Sequence, residues 1–581
     1  MAVVAHPQLF DPVVLSGVEP DVTLVDGVGF HPAVAAWFRE RFVDGPTPAQ
    51  LEAWPHIAAG EHTLVAAPTG SGKTLAGFLM AINRLYLAHA RGEPTSGTRV
   101  AYVSPLKALA VDIAENLERP LVEIADHAKR LGLSSPELTI GVRTGDTTPS
   151  ERQAMIRSPR TFVVTTPESL YLLVTAAKSR ATLRSVETII VDEIHALARD
   201  KRGSHLCLTL ERLAHVAAGE PARIGLSATQ KPIELVASLL VGTRTGPDGS
   251  PDCAVVDTGH RRALDVAIEL PDGELEAIMS HTQMDSVLDR IAEHVRRHTT
   301  TIVFVNTRRL AERLAHELGE RLAGGERTGV DEGDDGGLDG GAGVDDRPLD
   351  ERPVAAHHGS LSKDRRLRVE RRLRAGELKA LVATASLELG IDIGPVELVC
   401  QIGSPRSIAT FLQRVGRSNH TRSGTPKGRL YPLTRDELVE CAGLLAAVDA
   451  GRLDALEPPV APLDILAQQI IAETGADEWR VDDLFRLVTT AHPYRSLSRD
   501  DFDAVLDLVA DGIETGRGRR AAYVHFDRVN GELRGRKGAR LAALTSGGAI
   551  PELGDFRVIA CLLYTSPSPR DLSTSRMPSS A

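Results

Sequence analysis

The chain has 581 residues, room for roughly four domains of about 150 residues and for cores that need no disulfide or metal staple. Its five cysteines are scattered with no Cys-x-x-Cys pair, and no apolar run nears the ~18 residues of a membrane span, which excludes a zinc module, a disulfide framework and a membrane protein. The net charge of −11 argues against holding nucleic acid mainly by a basic surface, and the expected setting is the cytoplasm.

In chain order, the first 240 residues alternate short β-branched runs with helical stretches. The runs His62–Ala66, Arg99–Val103, Thr161–Thr165, Thr188–Val191 and Arg223–Leu226 read as buried parallel strands of an α/β domain over residues 1–245. After the first strand stands Ala67-Pro68-Thr69-Gly70-Ser71-Gly72-Lys73-Thr74, a Walker A loop with Ala in place of the usual first Gly. Thr69 to Gly72 place backbone N–H groups around a β-phosphate. Lys73 adds charge at the β/γ-phosphates, and Thr74 offers a hydroxyl to Mg²⁺. At the end of the fourth strand, Asp192-Glu193-Ile194-His195 stands where a Walker B acid belongs. Asp192 would hold Mg²⁺ through water, and Glu193 would orient or deprotonate an attacking water. The two motifs together predict an ATP hydrolase without naming its task.

A second α/β domain is expected over 246–445, from the runs Thr301–Val305, Val354–His357, Ala380–Thr384 and Leu398–Ile402. The Gly-rich, acidic stretch 324–352 cannot bury a core and reads as a disordered insert. Beyond Pro458, Leu463, Leu466 and Ile470 share one helical face, and Phe502, Val505, Leu506 and Val509 share another, with Ser498 as N-cap. Three short helices predict a helical or winged-helix module over 455–515. A separate, incomplete β-rich domain is expected to start at 520 and run to 560. Residues 561–581 hold no periodic pattern and resemble translated adapter read-through, so the natural chain is expected to be longer.

The remaining strings resemble those of superfamily 2 helicases of the DExH type, in order, over residues 47–420. Thr47-Pro48-Ala49-Gln50 resembles the Q motif, which implies that Gln50 reads adenine. Ser104-Pro105-Leu106-Lys107 resembles motif Ia and Thr166-Pro167-Glu168-Ser169 motif Ib. The resemblance implies that Ser104, Pro105, Lys107, Thr166, Pro167 and Ser169 meet successive phosphates at helix N-termini. Ser227-Ala228-Thr229 resembles motif III, which with His195 would couple the ATPase and nucleic-acid sites. Thr384 to Asp392 resembles motif V: Thr384 would take a phosphate of the strand, and Gly390 and Asp392 would face the ATP ribose. Gln413-Arg414-Val415-Gly416-Arg417-Ser418 resembles motif VI, which implies that Gln413, Arg414 and Arg417 act in catalysis, with Arg417 the leading arginine finger and Arg414 the second. Asn419-His420 follows where many relatives continue Gly-Arg.

Trp54-Pro55, Ser104–Leu109, Asp-Glu-Ile-His, His357–Ser362 and Leu387–Asp392 together resemble the large helicase-related (Lhr) family, up to about residue 559. That resemblance implies two tandem RecA-like domains followed by a winged helix. It also implies a nucleoid-associated bacterial ATPase, stimulated by single-stranded DNA, that moves 3′ to 5′. Such a motor would open duplex DNA or RNA–DNA hybrids in DNA repair. Two alternatives stay open: an RNA-clamping ATPase that melts duplexes locally, and a non-catalytic scaffold that binds nucleic acid.

Overall fold

The computed structural model describes residues 23–549 apart from 26, 69, 260–262, 324–351, 389–393, 420–423, 516–517 and 521, together with 556–557 and 576–577. The expected acidic insert and most of the tail after 549 lie outside the described residues, as do Thr69, Gly390, Asp392 and His420. Among the described residues no helix is long and apolar enough to cross a membrane.

A short hairpin, β1 (Thr23–Val25) and β2 (Val28–Phe30), precedes the first domain. Phe30 and Phe38 stand edge-on to Trp54, with ring centroids 5.1 and 5.2 Å away. This aromatic cluster anchors the helix Pro48–Ala59 that carries Gln50. The first domain is a seven-stranded sheet of β3 (Thr63–Ala66), β4 (Val100–Val103), β5 (Ile140–Arg143), β6 (Phe162–Thr165), β7 (Thr188–Val191), β8 (Ala222–Ser227) and β9 (Ala254–Asp257). Its order is 5-6-4-7-8-3-9 and every pairing is parallel. The second domain holds six parallel strands, β10 (Asp265–Ile268), β11 (Thr301–Phe304), β12 (Val354–His357), β13 (Ala380–Ala383), β14 (Leu398–Ile402) and β15 (Lys427–Tyr431), in the order 10-15-14-11-13-12. Two tandem parallel α/β domains are thus the architecture expected from the alternating pattern.

Four strands of these two sheets escaped the sequence reading. β5, β9 and β10 lie at sheet edges, and β15 reads Lys-Gly-Arg-Leu-Tyr. Partial burial leaves such strands neither a continuous apolar run nor a clean alternation. β9 pairs with β3, so the first sheet extends to Asp257, past the boundary expected at 245. The Walker A and B loops and the loops of motifs Ia, Ib, III and V follow the C-terminal ends of parallel strands, where open α/β sheets leave a crevice.

The third module departs further from expectation. Its helices are Leu463–Ala476, Val481–Thr490 and Arg499–Asp511, the last capped by Ser498 as expected. Leu463, however, is exposed, and Ile465, Leu466 and Ile470 form the buried face. Two residues, β16 (Trp479–Arg480), recruit the later strands. After the ribbon β17 (Ile513–Thr515) and β18 (Gly518–Arg520), β19 (Val524–Asp527) and β20 (Glu532–Gly535) pair antiparallel, and β20 pairs with β16. Residues 524–535 therefore complete a winged-helix sheet instead of opening a separate domain at 520.

This module is fastened to the first domain through buried charge. Glu473 accepts hydrogen bonds from Arg180 at 3.1 Å and from Arg212, and Arg212 also reaches Gln469 at 2.6 Å and Thr175 at 2.9 Å. Burial alone would raise the Glu473 carboxyl, but the charges of Arg212 and Arg180 hold it below its ordinary value. Removing one member of such a network strands the others without partners. Glu473→Ala should therefore cost about 3–5 kcal/mol, read as a lower urea midpoint. A midpoint unchanged from wild type would contradict the fastening role.

Candidate nucleotide cleft and nucleic-acid channel

The loop after β3 turns into helix Lys73–Ala90 through Gly70 and Gly72, whose φ angles are +81° and +82°. A Cβ on Gly72 would sit 2.8 Å from the Gln50 amide nitrogen, so glycine is required by conformation and by space. Lys73 Nζ and Ser71 Oγ are buried without a hydrogen-bond partner, and Nζ lies 3.4 Å from Glu193 Oε1. An ammonium, a hydroxyl and a helix N-terminus facing one loop make an anion cradle.

Asp192 and Glu193 leave the end of β7 together. Tyr102 donates to Asp192 Oδ2 at 2.5 Å, a contact that no motif flagged. Burial, then the neighbouring Glu193 charge, pushes the Asp192 carboxyl up to about 7. Glu193 sits at φ +45°, a left-handed conformation that costs a non-glycine residue energy and marks a functional position. Burial would raise its carboxyl too, yet the Lys73 ammonium, with Arg417 behind it, holds it below the ordinary range. Glu193 is thus kept ionised and able to accept a proton, while the raised Asp192 carboxyl would give up its proton beside a cation.

His195 joins the two domains. Its Nδ1 accepts from the Ala228 N–H at 3.2 Å and lies 3.2 Å from Ser227 Oγ, while Nε2 lies 2.6 Å from the Gln413 side-chain amide. Burial lowers the imidazole to about 4, so the link is neutral at physiological pH. Gln413, expected to act in catalysis, is held here as the far end of that link.

A cleft between the domains is lined by Pro68, Glu193, Thr229, Gln413 and Arg417, with Glu388 beside them. Arg417 donates to the Glu388 carbonyl at 3.1 Å. Arg414 does not line this cleft. Its guanidinium donates to Glu388 at 2.8 Å and to Gln401, and lies 5.1 Å from the Phe304 ring centre. It braces the second domain, in place of the second-finger position expected for it. Gln50 also departs from expectation. Its Oε1 accepts from the Thr47 N–H at 2.9 Å and its Nε2 donates to the Gly72 carbonyl at 3.2 Å, which ties the helix Pro48–Ala59 to the phosphate loop. Thr74, Asp192 and Glu193 line an adjoining cavity of about 280 Å³.

A second cavity of about 780 Å³ runs between the domains and brings together Pro105, Lys107, Thr166 and Thr384. Arg199, Arg202, Arg308 and Arg366 line it as well, cations that no motif indicated. Ser104 and Ser169 are buried and Pro167 opens its helix, so these three shape the loops from inside. The cleft and the channel share Gln230, Glu388, Ala409 and Gln413 as common wall.

Known helicases share sequence and fold with most of the chain. A DEAD/DEAH box helicase family model matches residues 47–236, a helicase conserved C-terminal domain matches 345–421, and the winged helix domain of large helicase-related proteins matches 446–566. The chain is 43% identical over 538 residues to an Lhr helicase/probable uracil glycosylase of Mycolicibacterium smegmatis, covering 91% of this chain and 35% of that protein. It is 40% identical over 530 residues to ATP-dependent helicase Lhr-Core protein 2 of Thermococcus barophilus, covering 90% and 58%. The chain thus spans from about a third to three-fifths of these relatives. A solved structure of the Mycobacterium smegmatis helicase Lhr bound to ssDNA and AMP-PNP superposes with a TM-score of 0.78 at 42% identity, covering 91% of this chain and 63% of that one. The DUF1998 helicase MrfA, at 19% identity and TM-score 0.64 over 90% of this chain and 63% of its own, shares the fold.

Proposed function

The chain belongs to the large helicase-related (Lhr) family, and from that premise we propose that it is an ATP-driven motor on nucleic acid. It tracks single-stranded DNA from 3′ to 5′, opens duplex DNA or RNA–DNA hybrids, and serves DNA repair at the bacterial nucleoid. The observation that carries this reading is the wall shared by cleft and channel, with His195 and Gln413 joining the domains across it.

The residues suit ATP. The Lys73 ammonium, paired only with Glu193 across the loop, and the buried Ser71 hydroxyl fit a triphosphate, with Gly70 and Gly72 opening the backbone to it. Thr74 and Asp192, which border one cavity, would hold Mg²⁺, Asp192 through water; the ion supplies charge neutralisation at the phosphates. Glu193 accepts a proton from the attacking water, and Arg417 stabilises charge on the γ-phosphate from the opposite domain. Lys107, Thr166 and Thr384 grip the strand from two domains, so a change in cleft width shifts the protein along it.

Polarity has a direct test. Partial duplexes with a single-stranded tail on one side should separate only when the tail is 3′. Separation that ignores the tail would instead favour a local RNA-type clamp. The phosphate loop supplies a further expectation. Gly72→Ala forces a left-handed φ worth roughly 1–2 kcal/mol onto alanine and presses on Gln50, so ATP affinity should fall about tenfold or more. Titration with a fluorescent ATP analogue checks this, and unchanged affinity would contradict it.

A further inference from the structure

Asp454 lies in the segment between helix Arg435–Asp449 of the second domain and helix Leu463–Ala476 of the winged helix. Its carboxylate accepts from Ser407 Oγ at 2.7 Å, from the Ala409 N–H at 2.9 Å and from the Ile408 N–H at 3.2 Å. Ser407 Oγ in turn accepts from the Thr410 N–H at 3.3 Å. The first three N–H groups of helix Ile408–Val415 are therefore satisfied by a residue about forty-five positions away together with the local cap. That helix carries Gln413 and Arg414, and Arg417 follows two residues after its end.

The neighbours of Asp454 hold the other domain. Ala455 forms a parallel bridge with Lys231, and the Leu456 N–H donates to the Lys231 carbonyl at 3.3 Å. Lys231 stands two residues after Thr229, at the end of motif III. Leu453 lines the nucleotide cleft beside Arg417 and Glu193, and Leu456 is buried in the core shared by the first domain and the winged helix. Arg199, which lines the channel, lies 3.5 Å from Asp454 Oδ2. Within four residues the chain passes from one motor domain to the other, borders the cleft at Leu453 and meets a channel arginine at Asp454.

We propose that Asp454 is a positioning residue for hydrolysis: it caps the motif VI helix while the next two residues hold motif III, and so sets how Arg417 enters the cleft. This rests on the motor reading above. Any change in cleft width must be taken up across residues 454–456, because the chain is fastened to the second domain before that point and to the first after it. The cap keeps the motif VI helix in register with the linker, and Arg199 places the strand beside the same carboxylate. Residues that bind ATP in the first domain are untouched.

The test is steady-state ATP hydrolysis with and without single-stranded DNA. D454A should lower the DNA-stimulated kcat about tenfold or more while the KM for ATP stays within about twofold. D454N, whose amide oxygen can still accept from Ser407 and the Ala409 N–H but loses the Ile408 bond, should lose clearly less kcat than D454A. Because the carboxylate acts through Arg417, D454A combined with R417A should be no slower than R417A alone. A D454A kcat near wild type, a loss that multiplies onto that of R417A, or a D454N variant as slow as D454A would overturn the proposal. A wild-type chain that hydrolyses no ATP would overturn the motor reading instead.

Discussion

Glu193→Gln should lower ATP turnover by about 10²–10⁴-fold while ATP-dependent binding to single-stranded DNA persists. The amide keeps the shape of the carboxylate but cannot accept the proton of an attacking water. Glu193 is suited to that task because Lys73 and Arg417 hold it ionised in a buried site. Its partner Asp192 is pushed the other way, which separates the roles of two adjacent acids. Single-turnover hydrolysis and filter binding on the same preparation check both halves. Turnover within about threefold of wild type would remove Glu193 as the base.

The second large effect belongs to Arg417. A finger supplied across a cleft contributes about 10³–10⁵ in turnover. Its planar fork meets a phosphate through two N–H groups at once, a geometry that Lys does not reproduce. Arg417→Lys should thus be nearly as slow as Arg417→Ala, with ATP binding retained, since the phosphate loop lies in the other domain. Arg414→Ala should instead act on folding, because its contacts are Glu388, Gln401 and Phe304. Comparing kcat with the thermal midpoint for the two variants separates these effects. If Arg414→Ala folds normally and is the slower enzyme, the assignment of the finger is reversed.

Much of this site was legible because its chemistry demands contiguous residues at strand ends. Gly70, Gly72, Lys73 and Thr74 must follow one another for a backbone to wrap a phosphate, and Asp192-Glu193 must cap a buried strand. Partners that meet only in three dimensions left no such trace. Tyr102 reaches Asp192 across two adjacent strands, Asp454 caps a helix from a linker, and Glu473 gathers two arginines from another domain. Motif resemblance located Gln50 and Arg414 but not their contacts, since a string of letters carries no rotamer. The separate β domain expected at 520 dissolved for a similar reason. A two-residue strand, Trp479–Arg480, has no periodicity to read, yet it decides where β20 pairs.

The central claim is that nucleic acid in the channel and ATP in the cleft act on each other through the wall they share. Phosphate release measured with and without single-stranded DNA tests it most directly. The account predicts that DNA raises turnover by about tenfold or more and that Glu193→Gln abolishes both rates. Turnover indifferent to DNA, or equally fast in Glu193→Gln, would contradict it.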